Sequence, residues 1–352
     1  MNCLNSFGTI IMKKTIPLFI LLNLAFTQIS CAKNTPSFPE CRTTQPAWGS
    51  EFNKVYQVDE FKIYYSDLAN SRNKLPNMQD LNSNNIPDYV ENIAIQAQSS
   101  RDIFKYAGFI SPLDKPRYTN AKSIGIFLKT MDGNGVAYEG IRRHDNLSTV
   151  IEMPCSISID VSNNLDQFPA NYWTTVTHEL FHLYQYGYSQ FKNSWYLESL
   201  ANWAERGLKL DITNSTKSLP PLPQNSTELE EKVFSQSYTP MWRRLFLIYE
   251  KDKLVIPNHL KDRTYTDGSK VYKDDEWRGT HLVLNIMNNL EKESDKITKQ
   301  ENWPNYFWKE DDQRSKRWDP VIFNIIQKQI KQAKINTPEA QFIKTTEIKS
   351  IQ

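Results

Sequence analysis

The sequence predicts an α+β fold. Strand-like stretches gather in the first half of the chain, at 52–65, 122–129, 149–153 and 156–161. Helical spacing dominates beyond a compositional shift near Asp211. Between the two lies one amphipathic helix with two histidines four residues apart, His178 and His182.

Composition narrows the class. The chain has 352 residues, 39% of them hydrophobic and 23% charged, enough for one large or two small globular units. We divide it into an arm (33–50), an N-terminal α/β subdomain (51–190), a mainly helical C-terminal subdomain (191–340) and a frayed tail (341–352). The net charge is only +2 and no basic block stands out, which argues against a nucleic-acid partner.

Residues 1–32 read as an export signal rather than part of the fold. Lys13 and Lys14 precede an apolar run from Ile16 to Phe26, and Met12 makes the shorter basic head. That run is too short to span a membrane permanently. Ser30-Cys31-Ala32 suits ordinary signal cleavage. Ile29-Ser30-Cys31 also fits a bacterial lipobox, despite Gln28, which would leave a lipid anchor on Cys31 as the one membrane contact. The mature protein is then periplasmic, outer-membrane-anchored or extracellular. In that oxidising setting Cys41 and Cys155 are expected to form a disulfide.

Phe52 to Tyr65 alternates apolar and polar residues like a strand. A polar, turn-rich stretch from Asn70 follows. Within it, Asp80, Asn82, Asn84, the Ile86 carbonyl, Asp88 and Glu91 occupy the six liganding positions of an EF-hand-type Ca²⁺ loop. Asn85 stands where Gly is usual, and Asn tolerates the left-handed backbone needed there. The competing reading is a solvated turn capping the next helix through Asp88. That helix carries Val90, Ile93, Ala94, Ala97, Ile103 and Phe104 on its apolar face. Asp132 to Gly135 reads as a turn, and His144, in a polar run, as a surface residue.

The central helix contains His178-Glu179-Leu180-Phe181-His182. Trp173, Val176, Leu180, Leu183 and Tyr184 form its apolar stripe, with Asn171 as expected N-cap and Gly187 as expected stop. The two imidazoles fall opposite that stripe, spaced to close on one Zn²⁺, with Glu179 placed to take a proton from water. A second helix, 193–207, puts Glu198, Asn202 and Glu205 on one side and Leu197, Leu200 and Ala204 on the other. Glu198 is the expected third ligand. Glu205 is the alternative ligand, or the acceptor that orients an imidazole. Beyond a Pro- and Ser-rich linker, helices are expected at 228–234, 241–249, 278–290 and 321–333, with a charged loop at 261–276.

From His178 to Glu205 the chain resembles the zincin metallopeptidases, specifically the gluzincin type. More closely, it is similar to proteins assigned as secreted bacterial metalloproteases in a group first noted in myxobacteria. The resemblance rests on Asn84–Glu91, on His178–His182, and on Trp195, Glu198, Ala201, Trp203 and Glu205. It covers about a third of the chain. It implies a zincin-like architecture, with a twisted sheet over the active-site helix and a helical subdomain below the cleft. One upstream strand, taken as Thr149–Met153, would present its edge to an extended peptide. It implies a zinc-dependent peptidase acting on peptide or protein substrates, with Glu179 as general base. The oxyanion donor would come from Tyr238, Tyr265, Tyr272 or His281. The rival reading is a catalytically silent, metal-binding surface lipoprotein.

Overall fold

The computed structural model describes residues 39–44, 51–144, 154–170, 173–209, 219–249 and 251–348. The export signal with Met12 and Cys31, the Thr149–Met153 strand and the Asn171 cap therefore lie outside the described residues.

A six-stranded mixed sheet is the frame of the N-terminal half. Its strands are β1 (Arg42–Thr44), β2 (Lys54–Val58), β3 (Phe61–Tyr65), β4 (Ser123–Lys129), β5 (Gly135–His144) and β6 (Ser156–Ser162). Their order across the sheet is β1-β5-β6-β4-β3-β2. The 52–65 stretch is thus a hairpin, reversed at Asp59 in the left-handed region, φ 49°. β3, β4 and β6 run parallel, with β5 antiparallel to β6. The central strands β4 and β6 are covered on both faces. Ile124, Ile126 and Leu128 of β4 join Ile157, Ile159 and Val161 of β6 in the main core.

Two helices pack on this sheet, α1 (Asp88–Tyr106) and α2 (Thr175–Tyr188), and a third, α3 (Ser194–Ala204), packs on α2. The apolar faces read for them are the faces they bury. Val90, Ile93, Ala97 and Phe104 of α1, Val176, Leu180 and Leu183 of α2, and Leu197 and Leu200 of α3 are all within the core. Their burial is what holds the three helices in register. Each of these side chains apart from Ala97 contributes roughly 1.5–3 kcal/mol of transfer free energy.

Several expectations are corrected. The strand lying beside α2 is β5, which the sequence reading passed over. Its Gly and Arg content hides the strand pattern, and the Asp132–Gly135 turn leads straight into it. β1 pairs only with Arg142–His144, so among the described residues Gly135–Ile141 carries no strand on its outer edge. Within the extended arm, Arg42–Thr44 is β1, which adds to the sheet beside β5. α2 starts at Thr175 with Thr174 as N-cap and runs through Gly187 to Tyr188. Gly187 serves packing instead: a Cβ there would sit 3.2 Å from Lys115 Cγ. α3 ends at Ala204 and continues as a 3-10 turn, Glu205–Gly207.

The expected C-terminal helices are present in substance, the principal ones being Met241–Ile248, Thr280–Gln300 and Asp319–Gln332. A short two-stranded ribbon pairs Lys253–Val255 with Glu276–Arg278, which the charged-loop reading missed. The tail is not frayed before Ile348. Ala340 and Ile343 are fully buried, and Glu339 pairs with Arg244 at 2.5 Å. Cys41 and Cys155 are disulfide-bonded, tying the start of β1 to the start of β6.

Candidate metal centre

α2 and α3 bring four chemistry-bearing side chains together. His178 and His182 project from one face of α2, with ring centroids 4.8 Å apart. Glu198 of α3 faces both: its Oε2 lies 3.3 Å from His178 Nε2 and 3.5 Å from His182 Nε2. Potential ligand atoms of the three residues lie within 4.8 Å of one another. The Glu198 side chain is 40% exposed while His182 is 5% exposed, so the group opens to solvent on the carboxylate side.

The other ring nitrogens are engaged by acceptors. His178 Nδ1 meets Glu205 Oε1 at 2.9 Å, and His182 Nδ1 meets Gln185 Oε1 at 2.8 Å. Gln185 is held in turn by its amide, which donates to the Leu197 carbonyl at 3.0 Å. Glu205 is held by Thr174 Oγ1, which donates at 2.5 Å, and by Lys209. This arrangement fixes the tautomers. With Nδ1 donating on both rings, the two neutral Nε2 atoms present lone pairs to the same carboxylate. Three acceptors facing one point repel unless a cation or proton sits between them. Ligands about 2.0–2.1 Å from a tetrahedral ion stand about 3.3–3.4 Å from each other, close to the two separations observed. The donor set thus fits a cation held by His178, His182 and Glu198. Glu205 and Gln185 act behind the histidines.

Without a metal, protons share this role. Burial disfavours charge on His178, but its contacts with Glu198 and Glu205 outweigh that and raise it to about 10. Burial would raise the Glu198 and Glu205 carboxyls. The histidines around Glu198, and His178 with Lys209 around Glu205, instead hold both below the usual range.

Glu179 lies on the β5 side. It is buried, and burial pushes its carboxyl up. β5 comes so close that a Cβ on Gly135 would fall 2.7 Å from Glu179 Cγ and 2.9 Å from its Oε1. Gly135, Thr175, His178, Glu179, Asn202 and Glu205 border a cleft of about 290 Å³.

The four oxyanion candidates separate. Tyr265 OH accepts from Gln96 Nε2, Tyr272 OH donates to the Ser99 carbonyl, and His281 Nδ1 pairs with Asp252. None of these three borders the cleft. Tyr238 is 45% exposed and borders a cavity that shares Asn202 with the cleft. Sequence reading missed Gln185, Gly135 and Tyr186. The i, i+4 series His178, His182, Tyr186 was the available signal for the last. The Tyr186 ring stacks on His182 with centroids 6.0 Å apart.

The Asp80–Glu91 segment is closed by hydrogen bonds among its own residues. Asp80 accepts from the backbone of Asn84 and Asn85, Asn82 Oδ1 accepts from the Asn84 N–H, and the Glu91 carboxylate takes the amides of Asn82 and Asn84 at 3.0 and 2.7 Å. Asn85 is left-handed as expected, φ 69°. Asp88 is turned elsewhere: its carboxylate accepts from Leu81 N–H, and it is the first residue of α1 rather than its cap.

Compared with known proteins, the chain matches no family model, no curated protein and no solved structure.

Proposed function

We propose that this protein is an exported zinc metallopeptidase, with His178, His182 and Glu198 as ligands and Glu179 as general base. The observation that carries the reading is the convergence of two Nδ1-anchored imidazoles and one carboxylate on a single solvent-open point. A bound zinc would supply Lewis acidity there and lower the pKa of water at the open side. The chain's own residues do the rest. Glu179, raised by burial toward the working range of a base, accepts the water proton and delivers it to the leaving amine. Glu205 and Gln185 keep both imidazoles turned toward the ligand point. Tyr238 is the candidate donor to the developing oxyanion. The edge of β5 from Gly135 to Ile141, which no described strand covers, is the place for an extended substrate to pair. The Asp80–Glu91 segment is the candidate calcium loop, where the ion would brace the start of α1 without taking part in hydrolysis.

The test is Glu179→Gln. Zinc content should stay at that of the wild type while peptide hydrolysis falls by about 10²–10⁴. Unchanged hydrolysis would remove Glu179 from the mechanism. A zinc-loaded wild type that cleaves nothing in a peptide library would overturn the peptidase reading in favour of the silent metal-binding lipoprotein.

A further inference from the structure

A cavity of about 650 Å³ lies along β5 beyond the candidate metal centre. Tyr186, one helical turn past His182, forms part of its wall, as do Ala137 to Arg142 of β5. This is the same strand whose Gly135 crowds Glu179. A peptide following β5 away from Glu179 therefore enters the cavity. At about 3.3 Å per residue, Gly135 to Arg142 spans about 23 Å, so the far end is reached roughly seven residues from the scissile bond.

Lining cations outnumber lining carboxylates five to three. Most are already paired. Glu139 is shared by Arg117 at 2.8 Å and Lys192 at 3.1 Å, while Glu310 takes Lys192 at 2.8 Å and Arg314 at 2.5 Å. Two arginines are left over. Arg42 of β1 and Arg142 of β5 are register partners on neighbouring strands, and both border the cavity. Among the described residues neither forms an ion pair. The Arg142 guanidinium lies 3.6 Å over the Tyr138 ring instead, and Arg42 is exposed. Like charges directly opposite each other on paired strands repel. The folded chain bears that cost on the cavity wall, where Glu40 is the remaining lining carboxylate and Asp160 acts on Arg142 without forming an ion pair with it. An anion between them would remove the repulsion.

We infer that this cavity is a subsite for acidic side chains of an extended peptide, recognised by Arg42 and Arg142. The inference rests on the peptidase reading, because it takes the peptide to follow β5. It goes beyond that reading in naming the substrate class as acidic on this side of the cleavage point.

The test separates binding from cleavage. Short N-acetylated, C-amidated peptides carry a Glu-Glu pair, or a Gln-Gln pair, at each position in turn. Their binding to zinc-loaded Glu179→Gln protein is read by fluorescence anisotropy at low salt. The Glu-Glu peptide of the right spacing should bind roughly tenfold more tightly than its Gln-Gln counterpart, and added salt should erode that advantage. In an Arg42→Gln, Arg142→Gln background the two should bind alike. Arg42→Gln alone, on the exposed edge strand, should narrow the gap and guards against a misfolded double variant. Equal binding of Glu and Gln peptides at every position, or no binding at all, would overturn the subsite. Tight acidic-peptide binding by a wild type that cleaves nothing would sink the peptidase reading and leave the subsite standing.

Discussion

Gly135 shows how narrow the tolerance of the site is. Any side chain there meets Glu179 and Thr175 within 3 Å. Gly135→Ala should therefore displace the carboxylate, lowering kcat about tenfold to a hundredfold with zinc content and circular dichroism unchanged. Wild-type kcat in that variant would show that β5 does not position the base. Glu139 makes a second prediction at this scale. Burial would raise its carboxyl, but Arg117 and Lys192 hold it below the usual range. A depressed folded pKa gives stability that is present above the unfolded value and is lost as pH falls through the folded one. Glu139→Gln should thus be about 3 kcal/mol less stable near neutrality, since it leaves buried Arg117 without its carboxylate. The gap to wild type should close below about pH 4. A gap independent of pH, in urea midpoints taken across that range, would refute the charge argument. His178, Glu179, His182, Glu198 and Glu205 were legible in the sequence because helical spacing is local. Arg117, Glu139 and Lys192 were not, because only the folded sheet and helices bring positions that far apart into contact.

At the scale of elements, the α1 entrance carries its own expectation. Glu91 sits in the first turn of α1 and receives two loop amides, so it couples the Asp80–Glu91 loop to the helix. Calcium at 100 times its dissociation constant would add about 2.7 kcal/mol. That corresponds to several degrees in Tm for a chain of this length. Glu91→Gln should abolish the calcium-dependent rise while leaving the calcium-free Tm nearly unchanged; an identical rise in the variant would exclude the loop. Long amphipathic helices were readable because a 3.6-residue period survives polar substitutions on the outer face. β5 was not. Its Gly135, Gly140, Arg142 and Arg143 carry no alternation, and its strand character comes from the ladder to β6 rather than from its own residues.

For the whole molecule, the Cys41–Cys155 bridge closes a loop of sequence separation 114 across the sheet. Chain entropy assigns such a loop about 4–5 kcal/mol. Cys41→Ser with Cys155→Ser should lower the unfolding free energy by a matching amount, with a steeper denaturant slope because the unlinked denatured chain is more expanded, and an unchanged free energy would mean that β1 is held by its ladder alone. The bridge was legible because the expected mature chain left only two cysteines to pair. The covering of both sheet faces was not, since it depends on which helices return to which strand. One last consequence comes from Gln185. Its side chain links the His182 ring to the backbone of α3, so neither helix can slide past the other without rotating that imidazole. The helices that carry His178, His182 and Glu198 are thereby coupled as a single jaw, and under the proposed peptidase reading a hinge that admits or releases a substrate would act through the opposing wall.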